Sequence, residues 1–133
     1  MKSFRILILE DDPVLNDIYF KALNAKGYQV DSAQSMEAAR SLINSNPYDV
    51  FLCDVRIGKQ HGTDLLVEYK DLFATNGTQT VVASAFGQYR FEIEEIDKEL
   101  FLEKPVSLAT LTSLIDRLVN DNRMVNGTTF AIS

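Results

Sequence analysis

Residues 6–12 read Ile6-Leu7-Ile8-Leu9-Glu10-Asp11-Asp12, four apolar residues followed directly by three acids. A short apolar run that ends at polar residues indicates a buried strand. Because the run is apolar at every position, both of its faces must be covered. That is typical of a parallel sheet with helices on both sides.

A second run of the same kind, Val50-Phe51-Leu52-Cys53, ends at Asp54. Parallel strands all point the same way, so both groups of acids are expected at the carboxyl edge of one sheet, where open α/β sheets bind ligands. Two carboxylates about 4 Å apart repel by about 4 kcal/mol at an effective dielectric constant near 20. We therefore expect a cation between them.

The bulk composition limits the classes of protein that the chain can belong to. It has 133 residues, of which 46% are hydrophobic, and a net charge of −6. This predicts one domain, over residues 1–121, with a poorly ordered tail over residues 122–133. The negative charge argues against nucleic-acid binding by this segment.

No apolar stretch reaches the ~20 residues that a membrane helix needs. Cys53 is the only cysteine, so an internal disulfide is impossible, and the cytoplasm is the expected compartment.

The positions of helix caps, glycines and prolines between the apolar segments predict five strands that alternate with five helices. Asp12-Pro13 starts the first helix, whose predicted apolar stripe is Leu15, Ile18, Ala22 and Leu23. The third helix is expected over residues 63–73 and the fourth over 88–97, and Ser107 caps the last. The predicted fold is a flavodoxin-like, doubly wound (βα)5 α/β sandwich. Its five-stranded parallel sheet would have the order 2-1-3-4-5.

The ends of four predicted strands carry groups suited to one chemistry: Glu10 and Asp11, Asp54, Ser84 and Lys104. Carboxylates are suitable ligands for Mg²⁺, and a carboxylate can also attack phosphorus. A lysine and a hydroxyl can bind phosphate oxygens. Each residue alone has an ordinary structural explanation, and Asp12 is interpreted only as a helix cap. The combination indicates phosphoryl transfer.

On these residues the chain resembles the response regulator receiver domains of two-component systems, from about residue 5 to residue 120. The resemblance rests on Glu10-Asp11, on Asp54 with Gly62 eight residues later, on Ser84-Ala85, and on Lys104-Pro105. It implies that Asp54 is the phosphoacceptor, with Mg²⁺ (or Mn²⁺) as the cofactor. The implied metal ligands are Asp11 directly, Glu10 largely through water, Asp54, and the backbone carbonyl of Arg56.

The resemblance further implies a switch rather than an enzyme that turns over an external substrate. Ser84 would be the switch hydroxyl, Lys104 the cation that pairs with the phosphoryl group, and Phe101 either a rotating aromatic or a core residue. The phosphodonor would be a sensor histidine kinase, a phosphotransfer protein or a small phosphodonor. The output would be a downstream protein or an output domain, and a homodimer could form through helix 4, strand 5 and helix 5.

The sequence departs from the family pattern at Gly58 and over residues 94–100, which lack the family's common Gly-Ala pair. Gly58 stands where the family usually has proline, which predicts a looser loop over residues 55–62. Arg56 can either reach the phosphoryl group or lie in solvent.

Three other classes fit less well, and one alternative remains open. A flavodoxin-like nucleotide binder would not place three acids where phosphate binds. The chain lacks the glycine-rich P-loop motif, and Arg56 replaces the second acid of haloacid-dehalogenase-type phosphatases. The open alternative is an adaptor with this fold that works by protein contact without phosphorylation.

Overall fold

The computed structural model describes residues 4–84, 102–103, 107–120 and 129–131. Within these residues the elements follow the chain in the order β1 (Arg5–Leu9), α1 (Pro13–Ala25), β2 (Gln29–Ala33), α2 (Met36–Ser45), β3 (Val50–Asp54), β4 (Arg56–Ile57), β5 (Gln60–His61), α3 (Asp64–Glu68), α4 (Lys70–Asn76), β6 (Gln79–Ser84), β7 (Leu102–Glu103), α5 (Leu108–Asn120) and β8 (Thr129–Ala131).

A parallel sheet forms the centre of the fold. Its strands follow the path β2-β1-β3-β6-β7, and β8 pairs with β6. The side chains of β1 alternate between the two faces, as the pleat of a strand requires. Ile6 and Ile8 pack in one core cluster with residues of α1 and α5. Leu7 and Leu9 pack in a second cluster with residues of α2 and α3. The prediction of an α/β fold with a parallel sheet covered on both faces is confirmed.

The number of strands differs from the prediction. Within the described residues the main sheet has six strands, and β4 and β5 form a separate antiparallel pair. Because β3 occupies one edge of β6, β7 and β8 must share the other edge. β7 pairs with Ala83 and Ser84, whereas β8 pairs with residues 80–82. The sequence gives no sign of β8, which lies in the segment expected to be a tail.

Two helices also differ from expectation. The helix predicted over residues 63–73 is divided into α3 and α4 at Tyr69, whose φ of −107° and ψ of 17° are not helical. In α1 the buried residues are Asn16, Tyr19 and Leu23, whereas Ile18 is exposed. Leu23 of the predicted stripe is buried, and Leu15 packs against the same core cluster, so the prediction is wrong for Ile18 and omits Asn16 and Tyr19. The fourth predicted helix lies outside the described residues.

Side-chain caps begin three helices. The Ser35 hydroxyl accepts a hydrogen bond from the Ala38 N–H, and the Ser107 hydroxyl accepts one from the Thr110 N–H. The Asp12 carboxylate accepts hydrogen bonds from the N–H groups of Val14 and Leu15, at 3.0 and 3.3 Å. The predicted cap roles of Asp12 and Ser107 are confirmed.

Removal of the Asp12 cap gives a first testable prediction. Asp12→Ala is expected to lower the free energy of unfolding by about 1 kcal/mol, because two N–H groups of the first helical turn lose their partner. Urea denaturation measures this change. Asp12→Asn, which keeps an oxygen acceptor, should lose clearly less, and an equal loss in both variants would contradict the role of the cap.

No helix in the described part of the chain has the length and apolar character that a membrane crossing needs.

Candidate functional site

Three carboxylates converge at the carboxyl ends of β1 and β3. The two strands pair in parallel with Leu9 opposite Cys53, so the residues that follow lie at the same edge of the sheet. One carboxylate oxygen from each of Glu10, Asp11 and Asp54 lies within 4.8 Å of the others. The predicted convergence of acids from the ends of β1 and β3 is therefore observed.

The three acids differ in their access to solvent. Glu10 is 2% exposed and Asp54 is 7% exposed, whereas Asp11 is exposed. Two buried carboxylates beside a third have a high electrostatic cost unless a positive group compensates their charge. The open side at Asp11 gives an ion or a small donor a route to the buried acids.

Backbone and amide groups fix the position of Glu10. The Asn16 side-chain amide donates to the backbone carbonyls of Glu10 and Ala33, at 2.9 and 3.0 Å. The Asp12 N–H donates to Glu10 Oε2 at 3.2 Å. Asn16 is buried, and sequence reasoning missed it. Its spacing from Tyr19 and Leu23, three and seven residues later, is the signal that could have placed it on the inner face of α1.

The main chain around Asp54 is closely packed. Gly62 lies so near that a Cβ added to it would be 2.1 Å from the Asp54 carbonyl oxygen. The Cys53 thiol donates to the same oxygen at 3.4 Å. The Arg56 N–H donates to Asp54 Oδ1, also at 3.4 Å. Burial, followed by the charges of Asp54 and Asp64, raises the pKa of the Cys53 thiol, so this thiol stays protonated near neutral pH.

Asp11 contacts the loop that follows β3. The Gly58 N–H donates to Asp11 Oδ2 at 2.8 Å. Gly58 has a φ of +60°, a conformation that glycine adopts at little cost, and it lies in the turn of the β4–β5 hairpin, residues 56–61. This contact could not be read from the sequence.

The other predicted site residues are located only in part. Ser84 ends β6, one residue after Ala83, which pairs with Asp54. The side chain of Ser84 and all of Lys104 and Phe101 lie outside the described residues. Arg56 is in β4 with an exposed side chain.

The chemistry of the acidic cluster suits a hard divalent cation. Mg²⁺ prefers oxygen ligands and usually keeps several waters, so a site with a few carboxylates and one open side fits it better than a closed cage would. The same arrangement places a buried carboxylate, Asp54, beside the position that such a cation would occupy. A carboxylate so placed can act as a nucleophile toward phosphorus.

Comparisons with known proteins agree with this geometry. The sequence model of the response regulator receiver domain matches residues 6–116. The chain is 25% identical over 123 residues to the transcriptional regulatory protein QseB of Escherichia coli O157:H7, covering 92% of this chain and 55% of QseB. It is 30% identical over 119 residues to the response regulator protein PilR of Pseudomonas aeruginosa, covering 86% of this chain but 26% of PilR.

Among solved structures, the response regulator TrrA of Thermotoga maritima, crystallised in complex with Mg²⁺-BeF, has a TM-score of 0.72 and 21% identity. The match covers 86% of this chain and 98% of TrrA. The likeness to TrrA concerns the fold alone.

The two sequence relatives are longer than this chain, which spans about half the length of QseB and about a quarter of PilR.

Proposed function

Because the chain belongs to the response regulator receiver domain family, we propose that it is a phosphorylation-dependent switch in a two-component system, with Asp54 as the phosphoacceptor. The observation that carries this proposal is the convergence of Glu10, Asp11 and Asp54 within 4.8 Å. Three carboxylates this close together repel one another and do not stabilise the fold, but they form a suitable site for a divalent cation and a phosphoryl group.

The proposed reaction transfers a phosphoryl group to Asp54. A carboxylate oxygen of Asp54 forms a bond to phosphorus while the bond from phosphorus to the donor nitrogen of a phosphohistidine breaks. The electron pair of that bond stays on the imidazole nitrogen, which then takes up a proton. Burial of Asp54 limits the access of bulk water to the reacting carboxylate.

The proposed cofactor is Mg²⁺, and Mn²⁺ could replace it. Glu10, Asp11, Asp54 and the backbone carbonyl of Arg56 would hold the ion, which supplies positive charge against the phosphoryl oxygens. Lys104, which follows β7, would pair with the phosphoryl group, and Ser84 would donate a hydrogen bond to it.

The proposed output is a shift between two packings of the surface formed by the helix predicted over residues 88–97, β7 and α5. A phosphoryl group adds about −1.5 to −2 charges near neutral pH. Movement of Ser84 and rotation of Phe101 would link this charge to the surface. The chain would catalyse its own phosphorylation and slow dephosphorylation without acting as an enzyme on other molecules.

The proposed partners follow from this cycle. The donor is a sensor histidine kinase or a phosphotransfer protein, and the compartment is the cytoplasm. The receiver of the signal is a downstream protein, an output domain in a longer protein, or a second copy bound through the same surface. QseB and PilR are longer than this chain, which supports the proposal of an output domain in a longer protein.

Phosphorylation in vitro tests the proposed function. Incubation with acetyl phosphate and Mg²⁺ is expected to give a species heavier by about 80 Da, the mass of the added phosphoryl group. Intact-mass spectrometry measures the adduct, which Asp54→Asn should abolish. EDTA should abolish it in the wild type as well.

Two outcomes would contradict the proposal. An adduct that persists in Asp54→Asn would assign the acceptor to another residue. No adduct with acetyl phosphate, phosphoramidate or a histidine kinase would favour the adaptor that works by protein contact alone.

A further inference from the structure

The β4–β5 hairpin contacts both acids that flank the proposed metal position. At its turn, the Gly58 N–H donates to Asp11 Oδ2 at 2.8 Å. Directly after the hairpin, Gly62 packs against the Asp54 carbonyl, and its N–H donates to the Val55 carbonyl at 2.8 Å. The hairpin therefore joins the end of β1 to the end of β3 at the acidic cluster.

The contact at Gly58 depends on a backbone N–H presented by a residue with a positive φ. It joins positions 47 residues apart, so it fixes the loop after β3 against the loop after β1. The φ of +60° at Gly58 suits glycine. Proline has no N–H, and its ring holds φ near −65°, so proline at this position could neither donate to Asp11 nor adopt this turn.

The hydrogen bond leaves Asp11 able to bind a cation. An ionised carboxylate has two oxygens with about four lone-pair sites, so Oδ2 can accept the Gly58 N–H while lone pairs remain for the ion. The bond is present while the three acids converge within 4.8 Å. It restricts the rotation of the Asp11 side chain and offsets part of the repulsion between the acids.

We propose that the backbone N–H of Gly58 is a positioning group for Asp11, so that the β4–β5 hairpin sets the affinity of the acidic cluster for Mg²⁺. This inference rests on the proposed function, because it assigns Asp11 to the metal. It makes Gly58 a positioning residue rather than a catalytic one. Since metal binding and the hairpin are coupled, Mg²⁺ in turn should stabilise the hairpin contact.

A comparison of two variants at residue 58 tests the N–H group together with the turn that presents it to Asp11. Gly58→Pro removes the donor, whereas Gly58→Ala keeps it, and a Cβ there meets no atom within 4 Å. Both variants must adapt the positive φ. Isothermal titration with MgCl₂ should show that Gly58→Pro binds Mg²⁺ about tenfold more weakly than Gly58→Ala, as expected for loss of a hydrogen bond to a charged group.

A second measurement does not depend on proline being tolerated. In metal-free protein, the amide proton of Gly58 should exchange about tenfold faster in Asp11→Ala than in the wild type, because its acceptor is gone. Asp17→Ala is the matched control. Asp17 is an exposed acid on α1 that pairs with Lys21, so its removal changes the charge equally but should leave exchange at Gly58 unchanged.

The outcomes separate this inference from the proposed function. Equal Mg²⁺ affinity in Gly58→Pro and Gly58→Ala, or unchanged exchange at Gly58 in Asp11→Ala, would overturn the positioning role while a phosphoryl adduct on Asp54 still forms. If the wild type forms no adduct and binds no Mg²⁺, the proposed function fails, and the inference fails with it.

Discussion

Gly62→Ala is expected to lower the free energy of unfolding by about 3 kcal/mol or more, because the added methyl group has no space. Its Cβ would lie 2.1 Å from the Asp54 carbonyl oxygen, 3.1 Å from Cys53 Sγ and 3.3 Å from the Asp54 carbonyl carbon. Two of these atoms belong to the main chain of a central strand, so they cannot rotate away. Relief requires that the loop or the end of β3 moves.

The same displacement should impair the site. Asp54 carries its carboxylate on the strand end that Gly62 touches, so movement of that main chain shifts the carboxylate relative to Glu10 and Asp11. We therefore expect the fraction of Gly62→Ala that acquires a phosphoryl group to fall as well. Urea denaturation followed by circular dichroism measures the stability, and intact mass measures the phosphorylation.

Gly27→Ala provides the control. Gly27 has a φ of +93°, and a Cβ there would meet no atom within 4 Å, so its cost is limited to the strain of a left-handed conformation, about 1–2 kcal/mol. Gly62 does not have a positive φ. If Gly62→Ala were no less stable than Gly27→Ala, the close approach of Gly62 to Asp54 would not exist in solution.

The strands next to the site could be predicted because their sequences are unambiguous. Ile6 to Leu9 and Val50 to Cys53 are apolar at every position, which is typical of a central parallel strand that is buried on both faces. Parallel pairing then forces the following acids to one edge. That is why Glu10, Asp11 and Asp54 could be expected together before their distances were known.

The inner face of α1 could not be predicted in the same way. The predicted stripe contained Leu23, which is buried, but it also contained the exposed Ile18 and omitted Asn16 and Tyr19. Asn16 is buried because its amide satisfies two main-chain carbonyls at the ends of β1 and β2. Its spacing from Tyr19 and Leu23 indicates the face of α1 on which it lies, but a pattern of aliphatic residues does not predict the hydrogen bonds that make its burial favourable.

The loop contacts were beyond sequence reasoning for a similar reason. The replacement of the family's usual proline by Gly58 suggested only a looser loop, whereas the Gly58 N–H contacts Asp11. β8 was also unforeseen, since three residues near the end of the chain carry no periodic pattern and gain their pairing from the free edge of β6. Such contacts arise from the tertiary arrangement rather than from local preference.

The second large effect is expected in metal binding by Asp11→Asn. This variant should bind Mg²⁺ about a hundredfold more weakly, because a full negative charge next to the ion is replaced by a neutral amide. The Asn side chain keeps an oxygen that can accept the Gly58 N–H, so the contact with the hairpin can persist. Isothermal titration of the purified variant with MgCl₂ measures the change in affinity.

The free energy of unfolding of metal-free Asp11→Asn tests whether the Asp11 charge stabilises the fold. Without a cation, Asp11 repels the buried carboxylates of Glu10 and Asp54, so loss of its charge should leave the free energy of unfolding unchanged or raise it. Asp17→Asn, which removes an exposed charge on α1, should leave Mg²⁺ affinity within about twofold of the wild type, as expected for a screened surface charge. A loss of more than about 2 kcal/mol in metal-free Asp11→Asn would mean that Asp11 is a structural acid. Unchanged Mg²⁺ affinity would exclude it from the metal site.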